Sequence, residues 1–475
     1  MDEKIREFIY SHKDEIVKDL AELVAIPSVK DEPERGAPFG AEAKRALLKA
    51  EEYCQKMGFA TSVIGDAVLC ADYGQDPELG ILAHLDVVPA LEDSWNTDPF
   101  TLTEKNGVLF GRGAVDDKGP ALAALWAMNA VKSLGIPLKK GVRLILGTDE
   151  ENGSKDLELY KEHAKFPPKV FTPDGSFPVI NIEKGMLGVR FSGNTGGNYM
   201  EFRGGVTPNA VADKAKAIMR RVTADKVKAA IPEESEAKFT VTERGDNVFI
   251  SCDGRAAHAS TPEKGVNAVT ALLSLMNRVT DEPGLRGIEK LFPFGETDGA
   301  SLGLKCSDES GALTCVLSTL AIMPSGECEG TVDIRFPTCV DLQTVKDKVC
   351  SALESHKLKY EIVLGNEPHV VPEDSEFVKQ LLSVYERVEG EKGACIAIGG
   401  GTYVHNIEGG VAFGAERHNT DVVEPSPKPD TDAGQPSDGS GDTDYHMHGA
   451  NEFITVEELL KDAVLFAHAI IEVCG

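Results

Sequence analysis

The chain has 475 residues, with 77 acidic against 49 basic side chains, a formal net charge of −28 and 41% hydrophobic residues. That length exceeds what one hydrophobic core fills, so two domains, or one domain with a large insertion, are expected. The charge argues against a nucleic-acid or anionic-membrane partner and fits a well-solvated cytosolic protein.

The N-terminal stretch "MDEKIREFIYSHKDEIVKDLAELVAIPSV" is charged throughout, and Ile5, Phe8, Ile9, Ile16 and Leu20 fall near helical spacing. An amphipathic surface helix is expected there rather than a signal peptide. Up to about residue 185, strand-like runs alternate with helical patterns, the habit of an α/β sheet covered by helices. "GILAHLDVV" and "GVRLILGTD" read as central strands, and "PALAALWAMNAVKSLG" as a helix with proline in its first turn and glycine after its last. From about 187 to 370 the texture changes. "VFISCDGRAAHAS", "ALTCVLSTLAIMP" and "EGTVDIRFP" read as strands, separated by helical readings of "NAVADKAKAIMRRV" and "GVNAVTALLSLMNRV". This mixture suggests an inserted α+β unit. After Pro372 the helix-like "EDSEFVKQLLSVYERVEG" restores the earlier pattern, and "TVEELLKDAVLFAHAIIEVC" closes the chain as an amphipathic helix. Residues 419–444, rich in Pro, Gly, Ser and Asp, read as a flexible loop. The ten cysteines form no CxxC pair, as expected of reduced thiols. No apolar run is long enough to span a bilayer.

Strand alternation puts His84 and Asp86 of "LAHLDVVP" on one face. They are either a hydrogen-bonded pair at the edge of the core or a metal ligand with its support. Asp116 and Asp117 in "GRGAVDDKGP", Glu150 and Glu151 in "TDEENGS", Asp174 in "FTPDGSFPVINIEKG", and His446 and His448 in "HMHGANE" are further candidates. Each has a local reading: a helix cap for either aspartate of the first pair, exposed turns, solvated histidines. Yet the carboxylates follow apolar strands, at the end where α/β sheets place their sites. Adjacent carboxylates repel unless a cation neutralises them, and imidazole with carboxylate is a donor set for borderline dications.

These motifs, together with "AAHASTPEKGVNA", "DIRFP", "GGGTY" and "HGANE", occur in the order of a known family. Over nearly its whole length the chain resembles the co-catalytic zinc peptidases that include carboxypeptidase G, aminoacylase, succinyl-diaminopimelate desuccinylase and carnosinase, and most of all the bacterial PepV-type dipeptidases. The resemblance implies an α/β catalytic domain, residues 1–186 and 371–475, with a central mixed sheet flanked by helices. An α+β lid domain, residues 187–370, would interrupt it. It also implies two zinc ions per chain, replaceable by manganese or cobalt. His84 and Asp174 would bind one, Glu151 and His448 the other, and Asp116 would bridge them. Glu150 would be the general base acting on a hydroxide shared by the metals. Asp86 would accept a hydrogen bond from the second nitrogen of His84, and His258 would stabilise the oxyanion. Arg335, through its planar guanidinium, and Asn209 would contact substrate. Gly401 and Thr402 would hold the peptide or its carboxylate; no P-loop lysine follows the glycines at 399–401. Relatives tend to carry an arginine shortly after "GGGTY", where this chain has "VHN" with His405, which bears on substrate length. His448 is preferred to His446 because "HGANE" has the spacing of the closing motif.

The implied function is a cytoplasmic dipeptidase acting on unblocked short peptides, monomeric or homodimeric. An N-acyl amino acid deacylase or a carboxypeptidase of the same family is the alternative. A catalytically silent metal- or peptide-binding protein is a reading from another class, against which the intact Glu150 argues.

Overall fold

Two large clusters of buried apolar side chains, with two smaller ones beside them, organise the described residues. The structure is a computed structural model that describes residues 2–91, 94–196, 200–417 and 445–475; the loop expected at 419–444 lies outside the described residues. Contacts divide it into one unit of Met1–Asn181, Val371–Ile396 and Thr402–Gly475, and another of Ile182–Val370 and Ala397–Gly401.

The first unit is built on a mixed sheet in the order Ala60–Ile64, Val68–Tyr73, Gly141–Gly147, Pro77–His84, Lys169–Thr172, Val411–Ala412 and the strand beginning at Val179. Its centre is parallel: Pro77–His84 lies between Gly141–Gly147, with His84 opposite Gly147, and Lys169–Thr172, with Ile81 opposite Phe171. Three neighbouring strands therefore end at the same edge. Buried on both faces, they read as continuous apolar runs. The helix Lys118–Ser133 packs against the closing helix Val456–Cys474. The latter begins with a capping box of Thr455 and Glu458, which contributes about 1 kcal/mol. Lys118, fully buried, donates to Leu23 O at 3.1 Å and Ile26 O at 2.7 Å, and burial lowers its pKa to about 7.

The single N-terminal helix expected from periodicity is two helices, Asp2–Ser11 and Lys13–Val24. At His12 the N–H bonds Ile9 O, and the ring Nδ1 lies 2.7 Å from Phe8 O, the carbonyl an uninterrupted helix would use. The apolar face survives the break: Ile5, Ile9, Ile16 and Leu20 are all buried.

The second unit is an eight-stranded antiparallel sheet in the order Lys238–Arg244, Asn247–Asp253, Lys214–Arg220, Met200–Gly204, Thr314–Ile322, Glu327–Phe336, Gly185–Asn194 and Lys359–Asn366. Helices Ala268–Val279 and Leu342–Ser355 pack on it. "NAVADKAKAIMRRV", read as helical from its alanines and lysines, forms the strands Ala210–Val211 and Lys214–Arg220 instead. Ala215, Ala217 and Met219 are buried while Lys214, Lys216 and Arg220 face solvent, a period of two that small residues with high helix propensity conceal. Among the described residues no helix is long and apolar enough to cross a membrane.

Candidate metal centre

The common edge of the three parallel strands gathers the candidates of the first unit. His84 ends its strand, Glu150 and Glu151 follow Gly147 by a short turn, and Asp174 lies two residues past Thr172. This is the carboxyl edge at which open α/β sheets bind ligands. Asp116 arrives from the turn that precedes Lys118–Ser133, and His448 from the segment before the strand Phe453–Thr455.

Asp116 faces both imidazoles. Its Oδ1 is 3.0 Å from His84 Nε2 and its Oδ2 is 3.0 Å from His448 Nε2. His84 Nε2 is also 3.7 Å from Asp174 Oδ2, and His448 Nε2 is 3.1 Å from Glu151 Oε2. Two sets of ligand-type atoms result, His84 with Glu150 and Asp174, and Asp116 with Glu151 and His448, each set lying within 4.8 Å. His84, Asp86 and Asp117 are fully buried, whereas the side chain of His448 is 53% exposed and leaves one side of the cluster open.

The donor set fits divalent cations. Against two imidazoles stand the carboxylates of Asp116, Glu150, Glu151 and Asp174, most of them withdrawn from water, and such a group asks for positive charge. Burial would lower the pKa of His84, but the carboxylates of Asp116 and Asp86 hold it well above the ordinary value. Hydrogen bonds to Asp116 and Glu151 push His448 up to about 11. Burial, reinforced by the charge of Asp116, raises Asp174 to about 7. Burial would likewise raise Asp116, but the imidazoles of His448 and His84, each 3.0 Å from one of its oxygens, hold it far below the usual carboxylate range. His84 Nε2 and Glu151 Oε1 are buried without a hydrogen bond of acceptable geometry, a condition that a bound cation relieves.

The supports differ from the simple pair read in "HLD". His84 Nδ1 lies 3.0 Å from the backbone carbonyl of Asp86 and 3.6 Å from its carboxylate. That carboxylate instead accepts the N–H groups of Glu150 and Glu151, both at 3.1 Å, so Asp86 fixes the turn carrying the two glutamates. Asp117 occupies the N-cap position of Lys118–Ser133 but makes no capping bond; its Oδ2 accepts the His84 N–H at 3.0 Å. Three supports have no counterpart in the sequence reading. Lys30 reaches the buried Asp149 at 2.6 Å. Asp156 Oδ2 accepts the N–H groups of Thr148 and Asp149 and the hydroxyl of Tyr403. The Tyr403 ring stands edge-on to His84, with centroids 6.0 Å apart. Lys30 carries no motif that could have announced it, whereas Tyr403 lies inside "GGGTY".

The other candidates belong to the second unit, apart from Thr402, whose carbonyl accepts the His405 N–H in the first. His258 is exposed, pairs opposite Ala210, and has its Nδ1 2.7 Å from Ser260 Oγ. Asn209 O accepts the N–H of Ala259 at 2.9 Å, which brings the asparagine beside the histidine. Arg335 is buried and doubly bonded to Asp333, at 2.6 and 2.8 Å, with Nη1 reaching Gly399 O at 3.4 Å. Gly399 in turn abuts Ser260: a Cβ there would lie 2.5 Å from the serine's own. His258, Asn209, Arg335 and the strip ending at Gly401 thus form one neighbourhood within that unit.

A model of peptidase family M20/M25/M40 matches residues 80–472. YtjP of Bacillus subtilis (strain 168) is 32% identical over 477 aligned positions that cover 97% of each chain. The Beta-Ala-Xaa dipeptidase of Lactobacillus delbrueckii subsp. lactis is 31% identical, over 99% of this chain and 98% of its own. Among solved structures, human carnosine dipeptidase 1 shares the fold with a TM-score of 0.63 at 19% identity, over 99% of this chain and 98% of that one. The motifs that suggested a metallopeptidase therefore stand in a sequence alike from end to end, and the chain belongs to peptidase family M20/M25/M40.

Proposed function

We propose that the protein is a metal-dependent dipeptidase that hydrolyses unblocked short peptides in the cytoplasm, with two zinc ions held by the first unit. The observation that carries this reading is the Asp116 carboxylate, each oxygen of which lies 3.0 Å from a different imidazole. His84 and Asp174 would hold one cation, Glu151 and His448 the other, and Asp116 would contribute to both. Cations bound there would polarise the scissile carbonyl and supply a nucleophilic water at neutral pH. The substrate class is supported by full-length similarity to a protein named Beta-Ala-Xaa dipeptidase, and the compartment by ten free cysteines.

Within this scheme Glu150 takes the proton of the attacking water and returns it to the leaving amine. Its backbone is fixed for that task by the carboxylate of Asp86. His258 stabilises the charge that develops on the carbonyl oxygen. Arg335, kept in one orientation by Asp333, takes the substrate carboxylate, Asn209 adds a further substrate contact, and Gly401 and Thr402 hold the peptide or its carboxylate.

The test is hydrolysis of Ala-Ala, β-Ala-His, a tripeptide and N-acetyl-Ala by metal-depleted protein, with zinc or manganese added back. Metal-dependent cleavage of the free dipeptides and none of N-acetyl-Ala is expected. Cleavage of N-acetyl-Ala would move the protein to the deacylases, and no turnover with either metal would leave a binding protein.

A further inference from the structure

One buried charge pair beside the metal centre belongs to neither the ligands nor the substrate contacts. Arg112 and Glu452, 2% and 0% exposed, meet at 2.6 Å between Nη1 and Oε2. The sequence places them in "GRGAVDDKGP" and "HGANE", the motifs that also hold Asp116 and His448.

Each member reaches past its partner to the backbone beside a ligand. Glu452 Oε1 accepts the N–H of Val115 at 3.1 Å and of Asp116 itself at 3.2 Å. Arg112 Nη2 donates to the carbonyl of Gly449, the residue after His448, at 2.9 Å. The backbone adds a parallel tie, since Gly111 N–H donates to Glu452 O at 2.9 Å and Phe453 pairs opposite Phe110. The Arg112 guanidinium also lies over the Trp95 ring, 5.3 Å from its centroid, which fixes the plane of the fork.

The held segment carries a turn bond of its own, from the Gly449 N–H to His446 O at 2.8 Å, and Asn451 Oδ1 accepts the Asn96 N–H at 2.8 Å. Three of its residues, His446, His448 and Asn451, have φ of 55°, 60° and 61°, the left-handed region, which histidine and asparagine enter more readily than most side chains. A buried ion pair is in general no better for stability than apolar packing of the same volume. Partners of metal ligands, by contrast, change metal affinity by about 10- to 100-fold when lost.

We propose that Arg112 and Glu452 are positioning residues that set the spacing between Asp116 and His448, and so the affinity of the metal position those two complete with Glu151. The proposal rests on the metal-centre reading above. His84 ends a strand of the main sheet and Asp174 lies two residues past another, and His84 has a tie of its own in the Asp117 bond to its backbone. The other position therefore depends on the clasp less.

The experiment is calorimetric titration of the metal-depleted full chain with zinc alone, for the wild type, Glu452→Gln and Arg112→Lys, alongside thermal unfolding. The amide keeps the size of Glu452 but turns an N–H group toward a cation or a backbone donor. Lysine keeps the charge but cannot bridge Glu452 and Gly449 as a planar fork. The wild type should take up two equivalents. In both variants one equivalent should weaken about 10- to 100-fold while the other changes less than about threefold, and the visible spectrum of cobalt bound at the weakened position should change. Two equivalents bound with wild-type affinity, or both weakened alike, would overturn the proposal. Arg112→Lys decides the matter if Glu452→Gln does not fold. A wild type that takes up fewer than two equivalents would instead fail the metal-centre reading itself, a result read before any variant is made.

Discussion

The candidate metal ligands of the first unit and the candidate substrate contacts of the second are held in different ways. His84, Glu150, Glu151 and Asp174 stand at the ends of neighbouring parallel strands, and buried carboxylates grip the backbone beside them: Asp117 at His84, and Asp86 at both glutamates. His258 stands on a two-residue ladder, exposed, bonded to Ser260 two positions away. Long-range buried ties give a geometry set before ligand arrives, as metal binding demands. Short-range ties leave a side chain that adjusts to the reacting group. The contrast predicts that substitutions in the first unit register in metal affinity or in the chemical step, and those around His258 in turnover alone.

The largest effect is expected for Glu150→Gln. Turnover should fall by about 10²- to 10⁴-fold, with both metal equivalents retained in the calorimeter. Because Glu150 also lies within the His84 and Asp174 set, a loss of metal in proportion to activity would make it a ligand and erase its distinction from Glu151. Next comes His258→Ala, for which kcat should drop about 10²-fold while zinc uptake and thermal midpoint stay at wild-type values. A lowered midpoint with normal kcat would show that His258 only packs, and the contrast between the units would fail there. The smallest effect is expected from Tyr403→Phe, which removes the hydroxyl from Asp156 but leaves that carboxylate the N–H groups of Thr148 and Asp149. Urea unfolding should report a loss of about 1 kcal/mol.

Much of the fold was legible because its chemistry sits in short, directional patterns. Apolar runs ending in His84 or Gly147 announce buried parallel strands, and acidic residues just beyond them announce a site at the carboxyl edge. The helix Glu376–Glu389 was equally plain, with Ser375 capping its start and Gly390 at φ 77° closing its end. What escaped was whatever depends on pairing between distant residues. Alanine and lysine in "NAVADKAKAIMRRV" favour a helix locally, and only the neighbouring strands Asn247–Asp253 and Met200–Gly204 make it a strand. The same holds for Asp86, whose proximity to His84 was visible while its bonds to Glu150 and Glu151 were not. Lys30 and Asp149 meet across most of a domain's worth of chain, with no local signal at either end.

Lys118 gives the end of the helix Lys13–Val24 a role beyond covering the sheet. Its ammonium sits in an apolar interior two residues from Asp116 and is satisfied by carbonyls at Leu23 and Ile26. Trimming the chain past residue 26, by a protease or by design, would take both acceptors from Lys118, which opens the helix that follows the turn carrying Asp116. The cut would fall on the far end of the sequence and be felt beside the candidate metal centre.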